Sequence, residues 1–187
     1  MKKYLLTSLR LTLVLTVLCC VLYPLLISAV GKLSKGEGGG ETIMVNGKVV
    51  GYAAIGQSFT QPKYFWGRPS AVGYNAAGSA GSNKGPSNPD YVKDVANRVD
   101  TLLKYHPYLK KSDIPADMVT ASGSGLDPDI SPAAAKMQVK RVAQFRKIDE
   151  AKVAALVDSH IEQPLAGLFG PAKINVLKLN VALDELK

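Results

Sequence analysis

Between Leu11 and Val30 the chain reads LTLVLTVLCCVLYPLLISAV, twenty residues without a charge. As a helix rising ~1.5 Å per residue, a run of this length crosses the hydrocarbon core of a bilayer. Lys2, Lys3 and Arg10 precede it. Basic residues on that side place the N-terminus in the cytoplasm and everything after the span outside. A cleaved signal peptide has a shorter apolar run, roughly 7–15 residues, so Ala29-Val30-Gly31 is not expected to be cut. Lipid attachment at Cys19 or Cys20 fits poorly, because Leu18 stands where a small residue is needed. The segment reads as a retained anchor.

The anchor carries a polar stripe. Ser8, Thr12 and Thr16 recur every four residues on one helical face, and Cys19 and Tyr23 continue it. Such residues let two helices approach and bond in lipid, or they bond back to their own carbonyls. Ser8, Thr12, Thr16 and Tyr23 are therefore candidates for contact with a partner helix. Pro24 is expected to kink the outer end.

The 187 residues divide into an anchor over 1–31, a linker over 32–41 (KLSKGEGGG at its heart) and a domain over 42–187, large enough for a core without disulfides. The net charge is +8, yet removing Lys2, Lys3 and Arg10 leaves 20 Lys and Arg against 15 Asp and Glu. Those charges are interspersed, so nucleic acid is not an expected partner. Both cysteines lie in the anchor, which excludes a disulfide framework or a cysteine-based zinc site in the domain.

Local signals predict an α+β domain, a small mostly antiparallel sheet with three to four helices. Asn46-Gly47 between apolar runs predicts a hairpin with strands near Thr42–Val45 and Lys48–Ile55. QSFTQPKYFWGRPS is aromatic-rich and broken by prolines, and its rings are expected to cap a core. Arg68 beside Trp66 suits either an anion contact or a structural ion pair. GYNAAGSAGSNKGPSNP, with Asn75, Ser82 and Asn83, is a long loop able to line a binding surface. Asn88-Pro89 opens a helix to about His106, with Val92, Val95, Val99, Leu102 and Leu103 inward. Ser131-Pro132 opens another, with Ala135, Val139, Val142 and Phe145, or their neighbours, inward. Asp149 opens a third, ended by Pro164. In INVLKLNVALDEL, Leu177, Leu179, Val181 and Leu183 alternate, which predicts a closing strand.

No constellation for catalysis is evident. The chain has two histidines, His106 and His160, and both read as helix-end or surface residues. HExxH and EF-hand patterns are absent, as is a phosphate loop. SGSGLDPDISPAAA looks like chemistry, with Asp127 and Asp129 flanking a proline. The local reading is a turn feeding a capped helix, Asp127 closing an Asx turn and Asp129 or Ser131 accepting from free helix amides.

The ordered set GQSF, YFWGRPSA, YNAA, SNKGPSNP, SGSGLDPDISPAAA and LNVALDEL, behind a short N-terminal anchor, resembles the C subunits of the Kdp-type potassium-transporting P-type ATPases over essentially the whole chain. The resemblance implies a bacterial inner-membrane complex for high-affinity potassium uptake. Its partners would be a channel-like potassium-binding subunit, an ATP-hydrolysing P-type subunit and a very small single-helix subunit. It implies an accessory role without a catalytic site or a cofactor of its own, described as a catalytic chaperone that raises ATP affinity. Gln57, within a matching block, becomes the candidate nucleotide contact. ATP is cytoplasmic while Gln57 is expected outside, so any effect on ATP is expected to travel by subunit coupling. Loops 66–90 and 122–132 are then the expected contact surfaces, with Arg68, Asn75, Ser82, Asn83, Asp127 and Asp129 as candidates. Asp127 and Asp129 are also expected to concentrate potassium weakly. The alternative of a different class is a membrane-anchored extracytoplasmic enzyme or small-ligand-binding module.

Overall fold

The computed structural model describes residues 2–186. These form two units, one up to Thr42 and one from Ile43 onward. In the first, α1 (Lys2–Val17) passes through a π-helical turn (Leu18–Leu22) into α2 (Tyr23–Gly31). Tyr4–Gly31 is a continuous apolar helix long enough to cross a membrane. The π turn has a physical cause in Pro24. A proline removes an amide and crowds the carbonyl one turn back, and widening that turn relieves the clash. The Tyr23 amide accordingly donates to Leu18 O, five residues back. Successive turns follow to Gly39.

The second unit is α+β. β1 (Thr42–Val45) and β2 (Lys48–Tyr52) form the hairpin, with Asn46 and Gly47 at φ of 49° and 76°. α3 (Pro89–Tyr105) starts on the Asn88 cap, which accepts from Tyr91 N at 3.1 Å. β3 (Asp129–Ile130) pairs antiparallel with β4 (Ile174–Asn175). Between them, α4 (Pro132–Arg146) starts on the Ser131 cap and α5 (Glu150–Ser159) on the Asp149 cap. α5 stops at His160, before Pro164. The core joins Phe65, α4, α5 and the C-terminal segment through Val142, Val153, Val157, Leu179 and Leu183, all fully buried.

Three expectations fail. On α3, Val92, expected inward, is exposed, and the buried face begins further along with Val99 and Leu102. The closing segment is not a strand: only Ile174–Asn175 is extended, and Val176–Glu185 is a helix, α6, capped by Asn175. Its buried residues are Val176, Leu177, Leu179, Asn180 and Leu183, of which Val176, Leu179, Asn180 and Leu183 follow a helical spacing with one polar position. In α4, Phe145 is exposed, and the inward face instead includes Gln138 and Arg141. His106, expected at a helix end or the surface, does cap α3 but is fully buried.

Asn180, Gln138 and Arg141 serve the irregular segment 62–66, which begins in a turn. Asn180 accepts from Phe65 N at 2.9 Å and donates to Phe65 O at 3.0 Å. Gln138 does the same for Trp66, at 2.8 and 3.1 Å. Arg141 donates to the Pro62 and Tyr64 carbonyls, and Arg146 to Lys63 O at 3.0 Å. Side chains of α4 and α6 thus supply what a neighbouring strand would supply, as buried backbone groups require. Replacing Asn180 by Leu keeps the branched shape and orphans both Phe65 groups. Asn180→Leu is expected to destabilise the domain by about 2–6 kcal/mol, at ~1–3 kcal/mol for each buried unpaired group. A lowered urea midpoint at unchanged slope is the check.

Candidate functional site

The motif Ser122–Ala135 packs against the loop that follows Trp66. Ser122 N donates to Pro69 O at 3.1 Å, and Ser70 Oγ donates to Gly125 O at 2.7 Å. Ser70 Oγ also accepts from Tyr74 N at 2.9 Å. Gly125 has φ of +67°, and a Cβ there would lie 2.6 Å from Val72 Cγ2 and 2.8 Å from Ala80 O. Only glycine fits so close an approach in that conformation.

Both aspartates have structural partners. Asp127 Oδ1 accepts from Asp129 N at 3.0 Å, the Asx turn expected from sequence. Asp127 Oδ2 pairs with Arg68 Nη1 at 3.0 Å, which decides between the two readings of Arg68 in favour of the ion pair. Asp129 Oδ2 pairs with Lys173 Nζ at 2.6 Å, while its Oδ1 is buried without a hydrogen-bond partner. Ser131, rather than Asp129, caps α4. The hydrogen bond to Asp129 holds the Lys173 ammonium above its ordinary pKa despite partial burial. Burial, with Asp127 adding to it, pushes the Tyr74 phenol up to about 12, so its hydroxyl stays a donor, to Arg68 O at 2.5 Å. Each aspartate faces a cation, and Lys173 Nζ also lies 3.8 Å from Glu162 Oε2. Among the described residues no three His, Cys, Asp or Glu side chains converge as metal ligands.

The remaining candidates do not converge on this turn. Asn75 caps a short local turn, accepting from Ala77 N at 3.0 Å. Ser82 and Asn83 are exposed, Asn83 at φ of 52°. Gln57 donates from Nε2 to Val50 O at 3.1 Å, bracing β2. In the first unit Ser8 Oγ donates back to Leu5 O at 3.0 Å, and Thr12, Thr16 and Tyr23 are exposed.

Sequence reasoning did not find the concave feature beside the turn. A cleft of about 470 Å³ opens between the aromatic segment, the 67–74 loop and α3. Phe59, Trp66, Leu102, Tyr105 and Met118 form its apolar wall, and Arg68 and Arg98 also line it. The readable signal was on α3, where Arg98, Thr101, Leu102 and Tyr105 share one helical face. Trp66, the chain's only tryptophan, has its ring held by three contacts. Its indole donates to Gln61 O at 3.0 Å, Tyr105 meets it edge-on at 5.1 Å, and the Arg141 guanidinium lies 4.1 Å from its ring centre.

Behind Trp66, Arg141 Nε donates to His106 Nε2 at 2.9 Å. His106 Nδ1 lies 2.8 Å from Leu102 O and must be its donor, since a carbonyl only accepts. The imidazole is therefore neutral. Burial, then the Arg141 charge, lower its pKa, outweighing the Leu102 bond that raises it.

The description KdpC, K+-transporting ATPase c chain, matches residues 5–185. The chain is 63% identical over 185 residues to the potassium-transporting ATPase KdpC subunit of Flavobacterium johnsoniae, covering 99% of this chain and 100% of that one. It is 54% identical to the Bacteroides fragilis protein of that name over 188 residues, covering 99% and 98%. It is 47% identical to that of Caldanaerobacter subterraneus subsp. tengcongensis over 182 residues, covering 96% and 94%.

The neutral His106 gives a pH prediction. The unfolded imidazole titrates near ~6.5, the folded one lower. Below ~6.5 the unfolded state takes up more protons, so stability falls as pH drops and levels off below the folded pKa. Denaturant midpoints measured from pH 8 to 5 should decline below ~6.5, and His106→Gln should remove that step.

Proposed function

The chain belongs to the KdpC family, the c chains of K+-transporting ATPases, and from that membership we propose how it serves the complex: as a non-catalytic subunit working through contacts. α1 and α2 hold it in the bacterial inner membrane, N-terminus inside, and the α+β domain works on the outer side. Lys2, Lys3 and Arg10 ahead of an uncharged span support that orientation. Its partners are the channel-like potassium-binding subunit, the P-type ATPase subunit and the small single-helix subunit.

The observation that carries the non-catalytic reading is the bonding of the SGSGLDPDISPAAA motif. Asp127, Asp129, Ser122 and Ser131 hold backbone amides or cations of the fold. Gln57 is engaged with the backbone of β2. A rise in ATP affinity of the ATPase subunit then comes through differential binding to its conformations, without a phosphate contact by this chain. Loops 66–90 and 122–132 are the contact surface, kept in register by the Ser70–Gly125 and Ser122–Pro69 bonds.

Purification of the tagged full chain from its native membrane tests this. Stoichiometric recovery of a P-type ATPase subunit is expected, with impermeant reagents modifying the domain from the outer side only. A chain recovered alone, or modified from the cytoplasmic side, would overturn the reading.

A further inference from the structure

The cleft beside the 122–132 turn has an uneven chemistry. Its walls are aromatic and aliphatic, and its charged lining consists of Arg68 and Arg98, with no carboxylate. Arg68 spends Nη1 on Asp127, but its Nε is buried without a partner. Arg98 donates from Nη1 to the Val119 carbonyl at 2.8 Å, and no ion pair engages it among the described residues. A well of this size suits one or two inserted side chains.

We propose that this cleft receives an extracytoplasmic loop of another subunit of the ATPase, with an acidic side chain on Arg98 and an adjacent apolar side chain against Trp66, Leu102 and Tyr105. The inference rests on the accessory-subunit reading, which supplies the partner. Charge complementarity selects the acid, since Arg98 stands in the lining without an ion pair among the described residues and no carboxylate lines the cleft. The apolar wall selects its neighbour. Preorganisation supports the site: the Trp66 backbone is clamped by Gln138 and its ring lies against Arg141 and Tyr105. Little conformational freedom remains to be lost on binding. Trp, Tyr and Arg are also the residue types that dominate interface energetics.

Thr101 lies on the exposed lining of the cleft and reports its occupancy. The domain has no cysteine of its own, so Thr101→Cys is placed in the full chain with Cys19 and Cys20 changed to Ser. Its reaction with a soluble maleimide is timed in the purified complex and in the chain purified alone in the same detergent. Slowing by at least ~tenfold in the complex is expected, while Ala155→Cys on the exposed side of α5 reacts alike in both. Adding Arg98→Glu should abolish the protection and Arg98→Lys should keep most of it, with Trp66 emission reporting that each variant is folded. Co-purification with Thr101→Cys equally reactive in both states overturns the proposal and leaves the accessory reading intact. Protection that persists in folded Arg98→Glu overturns the acidic partner. A chain that never co-purifies overturns both.

Discussion

The domain depends on a short segment held by side chains alone. Residues 62–66 leave the turn closed by Tyr64 N and Gln61 O, and Asn180, Gln138 and Arg141 bond the backbone of Pro62, Tyr64, Phe65 and Trp66 where no strand pairs with it. Arg141 is the centre of this arrangement, a fully buried guanidinium that pairs with no carboxylate among the described residues. Carbonyl oxygens, Gln138 Oε1 at 2.6 Å, the neutral His106 nitrogen and the Trp66 face surround it. Burial lowers its pKa to about 10, still high enough to keep it charged at neutral pH. Removing such a cation's partners is far costlier than the net worth of the set, so α3, α4 and the aromatic segment are fixed together by one side chain.

That arrangement also explains what could be read from the sequence. The anchor, the Asn-Gly hairpin and the Asn88, Ser131 and Asp149 caps were legible, because each is decided within a few residues by turn or capping chemistry. The inward faces of α4 and α6 were not. A periodicity argument assumes apolar means buried. Asn180 broke the helical stripe of α6, leaving Leu177, Leu179, Val181 and Leu183 to mimic a strand. Gln138 and Arg141 likewise looked like solvent residues, so Phe145 was assigned their place. Their partners lie some 70 to 115 residues away in the chain, beyond any local pattern.

The site was legible in the same divided way. The Asx turn at Asp127 follows from Asp-Pro-Asp alone. That Arg68 is its ion partner, and Lys173 that of Asp129, depends on tertiary placement. The cleft needed three separate segments to be brought together. What first looks like an active-site motif is a brace: its glycine lets two loops meet, and its aspartates balance two cations. The consequence is a surface whose shape is fixed by its own internal bonds, next to a tryptophan clamped by Gln138.

An accessory subunit of a K+-transporting ATPase should be inert alone and indispensable in place. The direct measurement is potassium-stimulated ATP hydrolysis by the complex purified with and without this chain, and by the chain by itself. The account predicts no hydrolysis by the isolated chain. It also predicts loss of the stimulated rate without the chain, and recovery when purified chain is added back. Hydrolysis by the isolated chain, or a full stimulated rate in its absence, would contradict it.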